Sequence, residues 1–166
     1  MAFTARFGLS IAAHVDGAPD LGSSSYEFSS AAASWVKSFT EGVGLNQANK
    51  VFVDTAATTT SYDLDAGTGV ATLGTLLDFT RIVAVGVYSS AANAANITVG
   101  GDFILSKYLT GWVDDALTIP VHPGGVFSFV APSATGVAVT ATTGDVITVT
   151  CPGTEAYGIV ILGSKA

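Results

Sequence analysis

The chain has 166 residues, of which 49% are hydrophobic and only 11% charged; a soluble domain ordinarily carries about 25% charged residues. That length fits one domain with its own core, held without disulfides or metals. The net charge is −7, and the six basic residues (Arg6, Lys37, Lys50, Arg81, Lys107, Lys165) are scattered; this argues against a groove that tracks nucleic-acid phosphates and against an anionic membrane surface.

From the N-terminus, Phe3, Ala5, Phe7 and Leu9 share one parity, with Arg6 on the other, so Phe3 to Val15 reads as a strand. The start lacks the basic and long apolar regions of a signal peptide, and no uninterrupted apolar run is long enough to span a bilayer. Asp16-Gly17 and Pro19-Asp20 form a turn region, and a short Tyr26-Glu-Phe run follows. Ser29 to Thr40 is open between two readings. Ala32, Trp35, Val36 and Phe39 fall at helical spacing, yet flanking Ser and Gly also permit an extended linker. Its short length and β-rich surroundings weigh against a stable helix. Glu41-Gly-Val-Gly44 then divides an N-terminal portion, 1–41, from a main β unit, 42–166.

Lys50 to Thr55 and Ser61 to Asp65 read as strands, and Leu76, Leu77 and Phe79 as inward-packing residues of a loop or single helical turn. Arg81 to Ser89 is apolar on both parities and should be a central strand covered on each side. Ile97 and Val99 lead to a hairpin-type break at Gly100-Gly101, with Phe103 to Tyr108 expected as the next strand. In Ile119 to Ala131, two prolines and Gly124-Gly125 make a hard corner, of the kind found where a chain leaves one sheet for another. Val137 to Ala141 and Val146 to Cys151 alternate around Thr142-Thr-Gly-Asp145 and read as a hairpin. Tyr157 to Leu162, apolar on both parities, belongs mid-sheet. About ten short strands at eight- to twelve-residue spacing predict an all-β, antiparallel, jelly-roll-like β-sandwich with an N-terminal arm.

Signals for chemistry are sparse. His14 and His122 are the only histidines and Cys151 the only cysteine; a zinc site wants three or four ligands, so each reads as a structural or exposed residue. There is no Gly-x-Ser-x-Gly nucleophile elbow. Asp63 with Asp65, and Asp114 with Asp115, could hold calcium or act as acid and base, but lack EF-hand spacing and a sugar-stacking platform. They read as solvated turn or edge charges. Gly67-Thr-Gly69 is a turn rather than a dinucleotide loop, and the Asn96-Ile-Thr98 sequon would stay unmodified without secretion. No catalytic residue, metal or cofactor is expected.

Several phrases occur in an order that resembles small virion proteins of tailed phages. They are Gly42-Val-Gly-Leu-Asn-Gln-Ala-Asn-Lys-Val-Phe-Val-Asp-Thr55, Asp63-Leu-Asp65, Ile82 to Val85, Thr98 to Gly101, Pro123 to Gly125, Thr143 to Ile147 and Ile159 to Gly163. The resemblance covers residues 42–163 and implies a capsid decoration (cement) protein, oligomeric and often trimeric, on the outer face of the major capsid shell. Residues 1–41 resemble nothing as clearly and could be a docking arm. A tail- or head-fibre-associated β domain shares much of the same pattern.

Low charge and the resemblance lead to one expectation: neutral faces packed against copies of the chain and against the major capsid protein, in the virion after synthesis in host cytoplasm. The residues expected at partner contacts are Phe3, Arg6, Phe7, Trp35, Phe39, Tyr108 and Trp112, although Tyr108 and Trp112 could equally pack under their own loop. Rival readings are a carbohydrate-binding, adhesin-like module and a glycan hydrolase.

Overall fold

The computed structural model describes residues 4–10, 13–16, 25–28, 34–67, 73–74, 76–109 and 117–165. Four N-terminal strands, β1 (Thr4–Ser10), β2 (Ala13–Asp16), β3 (Ser25–Phe28) and β4 (Ser34–Glu41), make a ribbon of two antiparallel pairs, the second nested in sequence within the first. β1 pairs with β4 from Thr4↔Thr40 to Ser10↔Ser34, and β2 with β3 from Ala13↔Phe28 to Asp16↔Ser25. The segment around Trp35 and Phe39, open between helix and linker in the sequence, is therefore strand. Ladder partners far upstream, Leu9 opposite Trp35 and Ala5 opposite Phe39, satisfy its backbone, which local spacing could not reveal.

The rest of the chain runs β5 (Gln47–Ala48), β6 (Lys50–Ala56), β7 (Thr60–Asp63), β8 (Leu73–Gly74), β9 (Arg81–Ser89) and β10 (Ile97–Gly100). Helix α1 (Asp102–Tyr108) follows, then β11 (Ile119–Val121), β12 (Val126–Val130), β13 (Val137–Ala138), β14 (Val146–Thr150) and β15 (Tyr157–Ser164). One sheet has the order β12-β9-β15-β6-β8, with β13 also paired to β9; the other has the order β11-β10-β14-β7. Apart from the short parallel pair β4–β5, every ladder among the described residues is antiparallel. The architecture is an all-β sandwich.

The core lies between the two sheets, as alternation requires. Phe52, Val85, Val87, Tyr157, Ile159 and Ile161 come from one side, and Tyr62, Ile97, Val99, Ile147 and Val149 from the other. Cys151 is buried in the same cluster. β9 and β15, apolar on both parities, are both interior strands of their sheet, as expected. The corner also behaves as expected: β11 belongs to the four-stranded sheet and β12 to the other, and Gly125 N–H donates to His122 O at 2.8 Å while Gly124 holds φ 75°.

Three expectations are overturned. Phe103 to Tyr108 is helix rather than strand. Gly101, with φ 95°, redirects the chain so closely past Val146 that no β-carbon would fit. Asp102 Oδ1 then accepts from Val146 N–H at 2.7 Å and from Asp145 N–H at 3.2 Å, tying the start of the helix to β14. The expected hairpin around 142–145 is also not a strand pair. β13 pairs with β9 and β14 with β10 and β7, so the turn carries the chain between sheets. It is held by Asp145 Oδ2 accepting from Thr142 N–H at 2.6 Å. Alternation showed that both segments were half-buried strands but not which partner each would take. Leu76, expected inside, is exposed, whereas Leu77 and Phe79 are buried.

Candidate assembly surface

The outward-facing residues of the six-stranded sheet line up in three rows across β12, β9, β15 and β6. The registers give Val130–Ala84–Leu162–Val51, then Ser128–Gly86–Val160–Val53, then Val126–Tyr88–Gly158–Thr55. Two side chains in the twelve, apart from the glycines, carry aliphatic hydroxyls (Ser128, Thr55), and none carries a charge. A sheet face of this kind costs free energy in water unless something covers it.

The chain covers the first row itself. Phe39 of β4 is fully buried there with Ala48, Val83, Ala84 and Leu162, and Ala5, Val51 and Val130 pack at the margin. This corrects the expectation for Phe39. It is an anchor, as its size suggested, but its contacts lie within its own chain.

Arg81 fixes the ribbon's base over that row. Its guanidinium donates to the carbonyl oxygens of Gly44 (3.2 Å), Gln47 (2.8 Å), Ser133 (3.3 Å) and Ala134, and its Nε to Ser164 Oγ at 2.5 Å. A planar fork with five donors is the side chain that can satisfy so many acceptors at once. Burial pulls its pKa below the ordinary guanidinium value. Gly44 N–H donating to Gln47 Oε1 at 2.7 Å, and Asn46 N–H to Pro132 O at 2.9 Å, complete the clamp.

The other two rows are open. Val126 is 67% exposed, Tyr88 48% and Val160 38%. Here lies an almost wholly apolar groove of about 350 Å³, lined by Ala84, Gly86, Tyr88, Val126, Val160 and Arg6 among others. Arg6, on β1, is its one charged lining residue. Beside it a second groove of about 430 Å³ is lined by Thr55, Tyr88, Ser90 and Tyr157 among others.

Of the expected contact residues whose side chains are described, only Arg6 lines the open grooves. Tyr108 instead packs in an aromatic cluster, its ring centroid 4.0 Å from that of Phe129 and 6.2 Å from that of Phe103. Of the two readings left open for it, packing within the chain is the one seen, with the side chain half-buried; burial raises the Tyr108 phenol pKa. Phe3 and Trp112 lie outside the described residues, as do the side chains of Phe7 and Trp35. The residues that sequence reasoning missed are Tyr88, Val126 and Val160. Their signal was present: strands apolar on both parities imply that the second face also needs a cover.

Elsewhere, Asp65 N–H donates to Asp63 Oδ1 at 3.1 Å, so that pair closes a turn. Asp114 and Asp115 lie outside the described residues. Among the described residues there is no cluster of three or more His, Cys, Asp or Glu that could hold a metal, and no helix is long and apolar enough to cross a membrane. No protein-family model matches this chain, nor does any curated protein or solved structure.

Proposed function

We propose that this protein is a structural component of a virion, a capsid decoration protein that assembles with itself and binds the outer face of the major capsid shell. One observation carries the assembly half of that reading: two uncharged rows of the six-stranded sheet stand open beside a row that the chain covers with its own ribbon. Low overall charge points the same way, since such a surface is better suited to contact than to solvent. The shell as partner comes from the order of the phrases between residues 42 and 163. Binding in a symmetric oligomer would multiply modest contacts through high effective concentration.

The test is to mix the full chain with undecorated capsids assembled from the major capsid protein of the same genome. Saturable co-sedimentation at symmetry-related lattice positions, with a raised capsid melting temperature, is the expected result. No binding, together with absence from purified particles by mass spectrometry, overturns the reading. Density at the tail or on fibres instead would move the protein to the fibre-associated alternative.

A second reading has its own observation. The 430 Å³ groove sets the exposed ring of Tyr88 beside the hydroxyl-bearing Thr55 and Ser90, a lining suited to a sugar ring. Glycan binding by the isolated chain, lost in Tyr88→Ala, would favour a carbohydrate-binding module.

A further inference from the structure

We infer that the open rows of the six-stranded sheet are the seat for the distal ribbon, β2 and β3, of a second copy of this chain. The inference deepens the assembly reading above and rests on it for its biological purpose, but its chemistry stands on four observations.

First, the base of the same ribbon already covers the adjoining row in cis through Ala5 and Phe39, so the face is one that this ribbon fits. Second, β1 is the edge strand of the sheet β1-β4-β5, and its Arg6 lines the groove. A strand laid there can bond to the open main-chain edge of β1 while covering Gly86, Val126 and Val160. Third, β2 and β3 form a two-stranded sheet of their own, separate from the ladders of the body. Each of its strands, Ala13–Asp16 and Ser25–Phe28, has four residues and so runs about 13 Å, comparable with the span across the four strands that make the floor. Fourth, the charges are complementary. Between Phe7 and Val36 there is no Lys or Arg, whereas Asp16, Asp20 and Glu27 are acidic. The groove offers Arg6 as its charged lining residue. A symmetric β1-to-β1 contact would instead bring two Arg6 side chains together, and this selects the distal ribbon as occupant. The exchange can be reciprocal in a dimer or head-to-tail around a closed ring.

The test uses sedimentation velocity on the full chain and two variants over a range of concentrations. Val126→Asp spoils the seat and keeps the ribbon; replacing residues 11–33 by Asn-Gly removes the distal ribbon and keeps the seat. The wild type is expected to be oligomeric and each variant monomeric, with circular dichroism and melting unchanged by Val126→Asp. Mixed together, the two variants are expected to associate, since one supplies the ribbon and the other the seat. Val126→Ser, which trims the contact without adding charge, should weaken self-association about tenfold. A monomeric wild type, an oligomeric Val126→Asp or a mixture that fails to associate overturns the inference. Failure of the capsid-binding reading is separable: a wild type that ignores capsids while the two variants complement each other refutes the shell partner and leaves the seat standing. Capsid binding by an oligomeric Val126→Asp does the reverse.

Discussion

The ring of Tyr88 lies over Gly158 on the neighbouring strand, so close that a β-carbon at position 158 would overlap it. The pair sits in the outermost of the three rows, and the absence of a side chain on Gly158 lets the aromatic ring lie down on the sheet. An aromatic covering a cross-strand glycine restores contacts that the glycine cannot make. Gly158→Val should lift the ring, destabilise the fold by about 1–3 kcal/mol and weaken self-association in the same variant. Denaturant unfolding and sedimentation on one sample check both effects.

Phe39 gives the largest expected stability effect in the ribbon. It is fully buried against Ala84 and Leu162. Phe39→Ala should cost about 3–5 kcal/mol, and the loss should be read first in hydrogen exchange of the β1–β4 ladder. Deleting residues 1–41 outright would expose the same row, so it would test folding together with docking. Shortening the ribbon beyond Ser10 and Ser34 separates the two.

Arg81 should resist both salt and conservative replacement. Its bonding partners are neutral carbonyls and a hydroxyl, not a carboxylate, so screening by added salt has little to weaken. Arg81→Lys keeps the charge but cannot reproduce the fork. It should cost about 2–3 kcal/mol through the carbonyls left unpaired, with a cost that is the same in low salt and in 1 M salt. Accelerated amide exchange at residues 44–47 would locate the damage.

The buried pair Tyr62 and Tyr157 predicts a loss of stability in alkali. Their hydroxyls lie 2.9 Å apart, and Tyr62 also donates to Asp54 Oδ2 at 3.1 Å. Burial first, then the hydrogen bond and neighbouring charge, raises the Tyr62 pKa above the ordinary 10.0; burial is also the main cause for Tyr157. An acid whose folded pKa is raised holds its proton in the folded state while the unfolded chain releases it. Its contribution is complete below pH 10 and declines as pH rises beyond that value, by up to about 1.4 kcal/mol per pH unit for each such group. Stability measured between pH 8 and 11 should be flat and then fall. Tyr62→Phe should reduce the slope while lowering stability at neutral pH, because Asp54 and Tyr157 lose a partner.

Much of the sandwich was legible in the chain. Alternation in 50–55 and 146–151, continuous apolar character in 81–89 and 157–162, and the Pro-Gly-Gly corner are local properties, fixed by side-chain period and by φ. They identified strands, interior positions and the crossing between sheets before any contact was known. The shortage of charge likewise announced that some neutral surface must be covered.

Partner choice was decided only by the tertiary structure. Helix 102–108, the crossing at 140–144 and the strand at 34–41 depend on what lies across from them: β14 held by Asp102, β9 paired with β13, and β1 paired with β4. The division of the outer sheet face has the same origin. Sequence period assigns Ala84, Gly86 and Tyr88 to one side of a strand, but only the position of Phe39, locked by Arg81 through carbonyls distant in the chain, leaves Ala84 covered and Tyr88 open. Period is a property of neighbours along the chain, whereas cover is a property of neighbours in space.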